Sequence, residues 1–247
     1  MQGTVNSTSG GSADGMTTQQ PLQTALKKLV DQHWDATNSW YSWRRLNVAR
    51  LPAGVALTAS KSAYDETVQL KLELHRIWVA HPDRRAELEK YIVETWGGVK
   101  GNDSSTLEDY ANNRDDELIA KGRSGIASWS KILCIRDPNR YAIYDARVAV
   151  ALNSLQVVAQ TPTPKLFPML SSQNRREMPR ATKAIKRHAV QNRWGTHSEK
   201  DFYGTYLGLL QAAAASSSNA PKVSIMAVEM VLFSQFASLA KQAFPPG

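Results

Sequence analysis

Apolar residues recur at helical spacing along most of this chain, and the Gly, Pro and Asn clusters that punctuate strands are sparse. Leu22, Leu26, Leu29 and Val30 share one helical face. Pro21 suits the first turn, where its missing N–H costs nothing. The apolar pattern continues through Trp34, Trp40, Tyr41 and Trp43, predicting a helix over 21–46. A turn at Leu51-Pro52-Ala53-Gly54 follows. A second helix, capped by Ser60 or Ser62, is expected to reach Ala80. Asp83, in the His81-Pro82-Asp83 break, is expected to cap a third that ends at Trp96-Gly97-Gly98. Beyond a polar loop at 99–105, the spacing predicts helices over 105–121, 128–135, 146–155, 175–193, 198–215 and 222–243. The segment 141–144 reads as short and extended, and Pro162, Pro164 and Pro168 mark an irregular connection. No internal repeat appears. The expected fold class is all-α. Residues 1–20, rich in Gly, Ser, Thr and Gln, read as a disordered tail ahead of one domain over 21–247.

Charge adds a direction to this picture. The formal net charge is +8. Residues 121–200 hold 15 Lys and Arg against 4 Asp and Glu, while the rest of the chain is slightly acidic. Such one-sided placement suits a polyanion footprint, in the first instance DNA. The basic segment 175–193 carries Arg175, Arg176, Lys183 and Arg187, residue types that contact phosphates. A membrane partner is not expected, because no apolar run is long enough to span a bilayer and no helix pairs its basic face with a strongly greasy one. Cys134 is the single cysteine, which excludes an internal disulfide and Cys-based zinc or iron–sulfur sites. This cysteine usage, and an N-terminus without a charged-then-apolar signal pattern, suit a cytoplasmic protein.

Candidate chemistry concentrates in residues 122–155. Gly122 and Gly125 permit a tight turn ahead of a helix, where backbone N–H groups and Arg123 could hold a phosphate. Asp137-Pro138-Asn139 is a turn signature. Asp145 stands where the next helix needs its N-cap, so the helix it caps fixes its direction. A carboxylate held this way beside a cleft can stabilise the positive charge that develops on a sugar during N-glycosidic cleavage, or orient a water.

The order of glycine turn, helix, short extended piece and helix-opening aspartate resembles the helix-hairpin-helix DNA glycosylases, closest to their 8-oxoguanine-glycosylase-like bacterial branch. Tyr144-Asp145-Ala146-Arg147-Val148 is similar to that superfamily's Val-Asp-x-His-Val pattern. The resemblance implies two helical lobes around a cleft, catalysis by Asp145, and DNA-backbone binding around Gly122 and Gly125. It implies no cofactor and no metal. Bifunctional members carry a lysine on the helix after the hairpin, and Lys131 lies on the matching helix. Lys131 precedes Asp145 by only 14 residues, however, and the hairpin lacks Gly-Val-Gly, so the expectation is a monofunctional enzyme that leaves an abasic site. The whole chain also looks like bacterial glycosylases used against phages whose DNA carries glucosylated hydroxymethylcytosine.

An extruded base needs aromatic faces. Trp43, Trp129, Tyr141 and Tyr144 are the candidates, against the ordinary alternative of core packing. Arg147, one turn from the cap, could meet phosphate or pair with an acid. The five histidines have no metal-ligand spacing with acidic partners, and no Gly-x-Ser-x-Gly elbow, Walker loop or dinucleotide fingerprint is present. The competing expectations are a helical nucleic-acid-binding protein without chemistry and a helical protein whose basic face meets an acidic partner.

Overall fold

The computed structural model describes residues 20–34, 39–41, 43–172 and 178–245. The expected tail over 1–20 falls outside them except for Gln20, as do Arg175 and Arg176. Among the described residues the protein is mostly helical, with two short strands.

Helix α1 spans Gln20–His33 and buries Leu22, Leu26, Leu29 and Val30, the stripe its spacing announces. It stops there rather than at Leu46. Trp40, Tyr41 and Trp43 lie beyond it in non-helical backbone and pack on Tyr64 and Phe233 of other helices, so tertiary burial organises them instead of a helical stripe. Helix α2 (Ala63–Ala80) is capped by Ser62, whose oxygen accepts from the Asp65 N–H at 3.0 Å. Asp83 is not a cap. It lies in a 3-10 turn over Pro82–Arg84, and α3 (Arg85–Lys90) starts after it and runs into a π-helical turn over Tyr91–Trp96.

The helix expected over 105–121 is two helices, α4 (Ser104–Asn112) and α5 (Asp115–Ala120). Asn113 and Arg114 are extended between them. The Arg136 guanidinium takes up carbonyls at this break, donating to Tyr110, Ala111 and Asn113 at 2.7–2.9 Å and to Asp115 Oδ1 at 2.9 Å. An arginine distant in sequence thus satisfies helix-end acceptors that would otherwise be orphaned.

Helix α6 (Ile126–Arg136) and helix α7 (Ala146–Val158) follow. Residues 148–156 of α7 are all buried, the polar Asn153, Ser154 and Gln156 among them. It is the central rod, packed along its length by α10 (Ile225–Ala243). Two amides on α7 fix the irregular proline-marked connection. Asn153 Nδ2 donates to the Phe167 carbonyl and its Oδ1 accepts from the Phe167 N–H. Gln156 makes the same pair of bonds with Lys165. Strand β1 (Lys165–Leu166) pairs in parallel with β2 (Gly195–Thr196), between which lies the basic helix α8 (Met178–Gln191). Helix α9 (Phe202–Ser216) completes the set. One continuous apolar core runs through these elements. No helix among the described residues is long and apolar enough to cross a membrane.

Candidate functional site

The extended segment 141–144 delivers Asp145 to the start of α7. It is held by side chains rather than by a sheet. The Tyr203 hydroxyl donates to the Ala142 carbonyl and the Tyr206 hydroxyl to the Ile143 carbonyl, both at 2.7 Å. The Tyr144 N–H donates to Ser130 Oγ at 3.1 Å. Asp145 then caps α7, its Oδ1 accepting from the N–H groups of Arg147 at 2.9 Å and Val148 at 3.0 Å. Both bonds fall on one oxygen, and no described residue donates to Oδ2. The carboxylate is therefore fixed in direction with one oxygen to spare.

Asp145 borders a cleft of about 530 Å³ whose walls come from α2, α6, α7, α10 and the loop after the π-helical turn. Its charged lining comprises Arg44, Lys71, Lys100, Lys131, Asp145, Arg147 and Glu229, an excess of cations. A larger hollow of about 800 Å³ lies between α1 and α10. It has no carboxylate in its walls, so the convergence of buried charge makes the smaller cleft the candidate site. Among the described residues no group of three His, Cys, Asp or Glu side chains could hold a metal ion.

Lys131 is buried in the cleft wall, its ammonium donating to the Ala127 carbonyl one turn back. Burial pulls its proton affinity below the usual lysine range, with the Asp145 and Glu229 carboxylates pushing back. Gly97, next to the π-helical turn, makes room for this side chain: a Cβ there would sit 2.7 Å from Lys131 Cδ and Cε. Lys71 and Glu229 form an ion pair at 2.8 Å, with side chains only 2% and 4% exposed. Burial lowers the proton affinity of Lys71, but the Glu229 carboxylate, with smaller contributions from Cys134 and Tyr41, holds the lysine above its ordinary value. Cys134 is buried behind them, and burial pushes its thiol up to about 11, so it is not a nucleophile.

Of the four candidate base-facing aromatics, only Trp43 is at the cleft. It is half-buried, and the Arg147 guanidinium lies 4.5 Å from its ring centroid and 4.6 Å from that of Phe233. Trp129, Tyr141 and Tyr144 are core residues. The Trp129 indole donates to the Ser124 carbonyl, and the Tyr144 hydroxyl to the Pro168 carbonyl, both at 2.8 Å. They are buried because the segment leading to Asp145 needs a packed floor. Trp96, Lys71 and Glu229 also line the cleft. The sequence carries no local signal for them, since α2, α10 and the π-helical turn meet only in the fold.

The glycine turn is real but differently used. Gly122 and Gly125 both adopt left-handed backbone, φ +58° and +67°. Gly122 approaches this chain's own backbone: a Cβ would stand 2.5 Å from the Glu199 carbonyl oxygen. The N–H groups of Gly122, Arg123, Ser124 and Ile126 are all bonded internally. Arg123 pairs with Glu199 at 2.7 Å and donates to the Met169 carbonyl. The expected open cradle of backbone donors is thus largely closed.

On α8, Met178, Ala181, Ile185 and Ala189 face inward, leaving Arg180, Lys183, Lys186 and Arg187 exposed. Lys183 and Lys186 border a shallow groove of about 400 Å³ that shares Ser171 and Ser172 with the Asp145 cleft. The groove beside the basic helix and the cleft therefore meet at these two serines. Comparison of the chain with protein-family models, curated proteins and solved structures returned no match.

Proposed function

We propose that this protein is a DNA glycosylase that cleaves the N-glycosidic bond of a modified base and leaves an abasic site. One observation carries the reading: Asp145 is anchored by its cap at the edge of a cation-rich cleft that suits a small organic ligand in size. The order α5, five-residue turn with two left-handed glycines, α6 also suits the helix-hairpin-helix glycosylase fold, with lobes on either side of the cleft.

In this reading, DNA lies on the basic face formed by Lys183, Lys186, Arg187 and the cleft-rim cations Arg44 and Lys100. A nucleotide flips into the cleft and its base rests against Trp43. Asp145 Oδ2 faces the sugar and stabilises the oxocarbenium-like state while water attacks. Lys131, engaged by the Ala127 carbonyl, keeps the local field positive and makes no covalent bond, which suits a monofunctional enzyme. The substrate class implied by the family resemblance is phage DNA containing glucosylated hydroxymethylcytosine.

Incubation with modified and unmodified phage genomes, followed by mass spectrometry of released bases and alkali cleavage of the DNA, tests this directly. Asp145→Asn is expected to retain DNA binding and lose base release by about a hundredfold or more. Release by the variant at the wild-type rate would sink the mechanism. A binding module without chemistry, favoured by the capping role of Asp145, predicts salt-sensitive DNA binding with no alkali-labile sites at all.

A further inference from the structure

The floor of the cleft holds an ion pair whose presence the core does not explain. Lys71 on α2 and Glu229 on α10 are almost fully buried, and each lines the cleft. A buried pair of this kind is commonly no more stabilising than apolar residues of the same volume, so packing alone gives little reason for it. Its hydrogen-bonding capacity is also unspent. Among the described residues, Lys71 Nζ bonds only Glu229 Oε2, which leaves two ammonium protons and Glu229 Oε1 without protein partners.

One acceptor beside two donors is a pattern that nucleobases can match to different degrees. On its Watson–Crick edge cytosine presents an amino donor followed by two acceptors, N3 and O2. Thymine places its single donor between two acceptors, adenine offers one acceptor, and guanine offers two donors. Only the cytosine order lets a carboxylate oxygen meet the donor while the adjacent ammonium spans both acceptors. A carboxylate accepting from the cytosine amino group is an established pairing.

We infer that Lys71 and Glu229 read a cytosine-type base drawn into the cleft, Glu229 Oε1 accepting from the exocyclic amino group and Lys71 donating to N3 and O2. The inference rests on the glycosylase reading of the same cleft, and assigns the two residues that read the cytosine ring of the substrate proposed above. Both residues are specificity determinants, and Asp145 stays with the sugar.

The test uses the full chain and duplexes carrying one unpaired C, T, A or G, with affinity measured at fixed salt. The wild type is expected to prefer unpaired cytosine by about tenfold, the discrimination typical of one good pair of base contacts. Lys71→Met with Glu229→Leu removes both charges together. This double variant is expected to keep its melting temperature and bind all four duplexes alike. Should it fail to fold, Lys71→Met with the isosteric Glu229→Gln, which also leaves no unpaired charge and keeps a hydrogen-bonding side chain at 229, is expected to cut the cytosine preference at least threefold. Wild-type protein without the preference, or a folded variant that keeps it in full, overturns the inference. Base release is scored separately. Release without cytosine preference rejects this inference alone, whereas preference without release rejects the glycosylase reading and leaves the base-reading role of the pair standing.

Discussion

Two aromatic clusters flank the segment that carries Asp145, and they do opposite things. Trp129, Tyr144, Phe202, Tyr203 and Tyr206, all buried, make three edge-to-face contacts at 4.9–5.2 Å between ring centroids and one tilted contact at 6.0 Å. Each polar tip in this cluster is matched to a carbonyl: Ser124, Pro168, Ala142 and Ile143. The second cluster joins Trp34, Trp40, Tyr41, Tyr64, Trp43 and Phe233. It ends at the cleft, where Trp43 is half-buried and shares the Arg147 guanidinium with Phe233 and Phe236. The residue types are the same. What separates them is whether the polar tip is consumed by the protein and whether a face stays open. The closed cluster is the anvil on which the 141–145 segment is held, and the open one is available to a ligand.

The sharpest way to break that contrast is to truncate one tryptophan from each side. Trp129→Ala, which empties a fully buried site, should destabilise by about 3–5 kcal/mol and lower the melting temperature by roughly 6–20 °C. DNA binding should fall only through loss of folded protein. Next in size is the removal of the two hydroxyls under the segment. Tyr203→Phe and Tyr206→Phe each strand a buried carbonyl and should cost about 1–3 kcal/mol in chemical denaturation.

The same pair carries a pH dependence. Burial holds both phenols well above their ordinary value of 10.0, so the native state keeps protons that the unfolded state releases. The stability they supply is complete below about pH 10 and declines above it, by about 1.4 kcal/mol per pH unit for each tyrosine. Between pH 9 and 11 the melting temperature should fall less steeply with pH in the double phenylalanine variant than in the wild type, the other buried tyrosines such as Tyr144 still contributing to both. An unchanged profile would show that these hydroxyls do not hold the segment. The smallest stability effect belongs to Trp43→Ala, about 1 kcal/mol or less from its cation contact. This variant should stay folded and lose about tenfold in DNA affinity, the worth of one stacking face. Normal affinity would remove Trp43 from the site.

Much of this was legible in the chain. The stripe of α1, the Ser62 cap and the existence of a helix from 146 follow from local pattern, because apolar spacing and a capping side chain act between residues a few positions apart. Asp145 was legible for a local reason too: an aspartate before a helical run finds its partners two and three residues on. Other boundaries were not. The apolar pattern over 21–46 reads as one helix, yet Trp40 and Trp43 are buried by partners on α2 and α10. The single helix expected over 105–121 is split where Arg136 arrives to take its carbonyls. Both outcomes depend on groups far away in sequence, which a local window does not contain.

The division at the site follows the same physics. By itself the sequence determined a mostly helical, lopsidedly basic chain, with a left-handed glycine turn and a capping aspartate at fixed places. Those features depend on backbone sterics and on bonds between residues a few positions apart. Tertiary structure decided which aromatics are closed and which stay open, that Gly122 packs against Glu199, and that Lys71 and Glu229 meet 158 positions apart beneath Asp145. A cleft is the space left between elements, and the charges facing it are selected by how those elements pack rather than by any one stretch of chain.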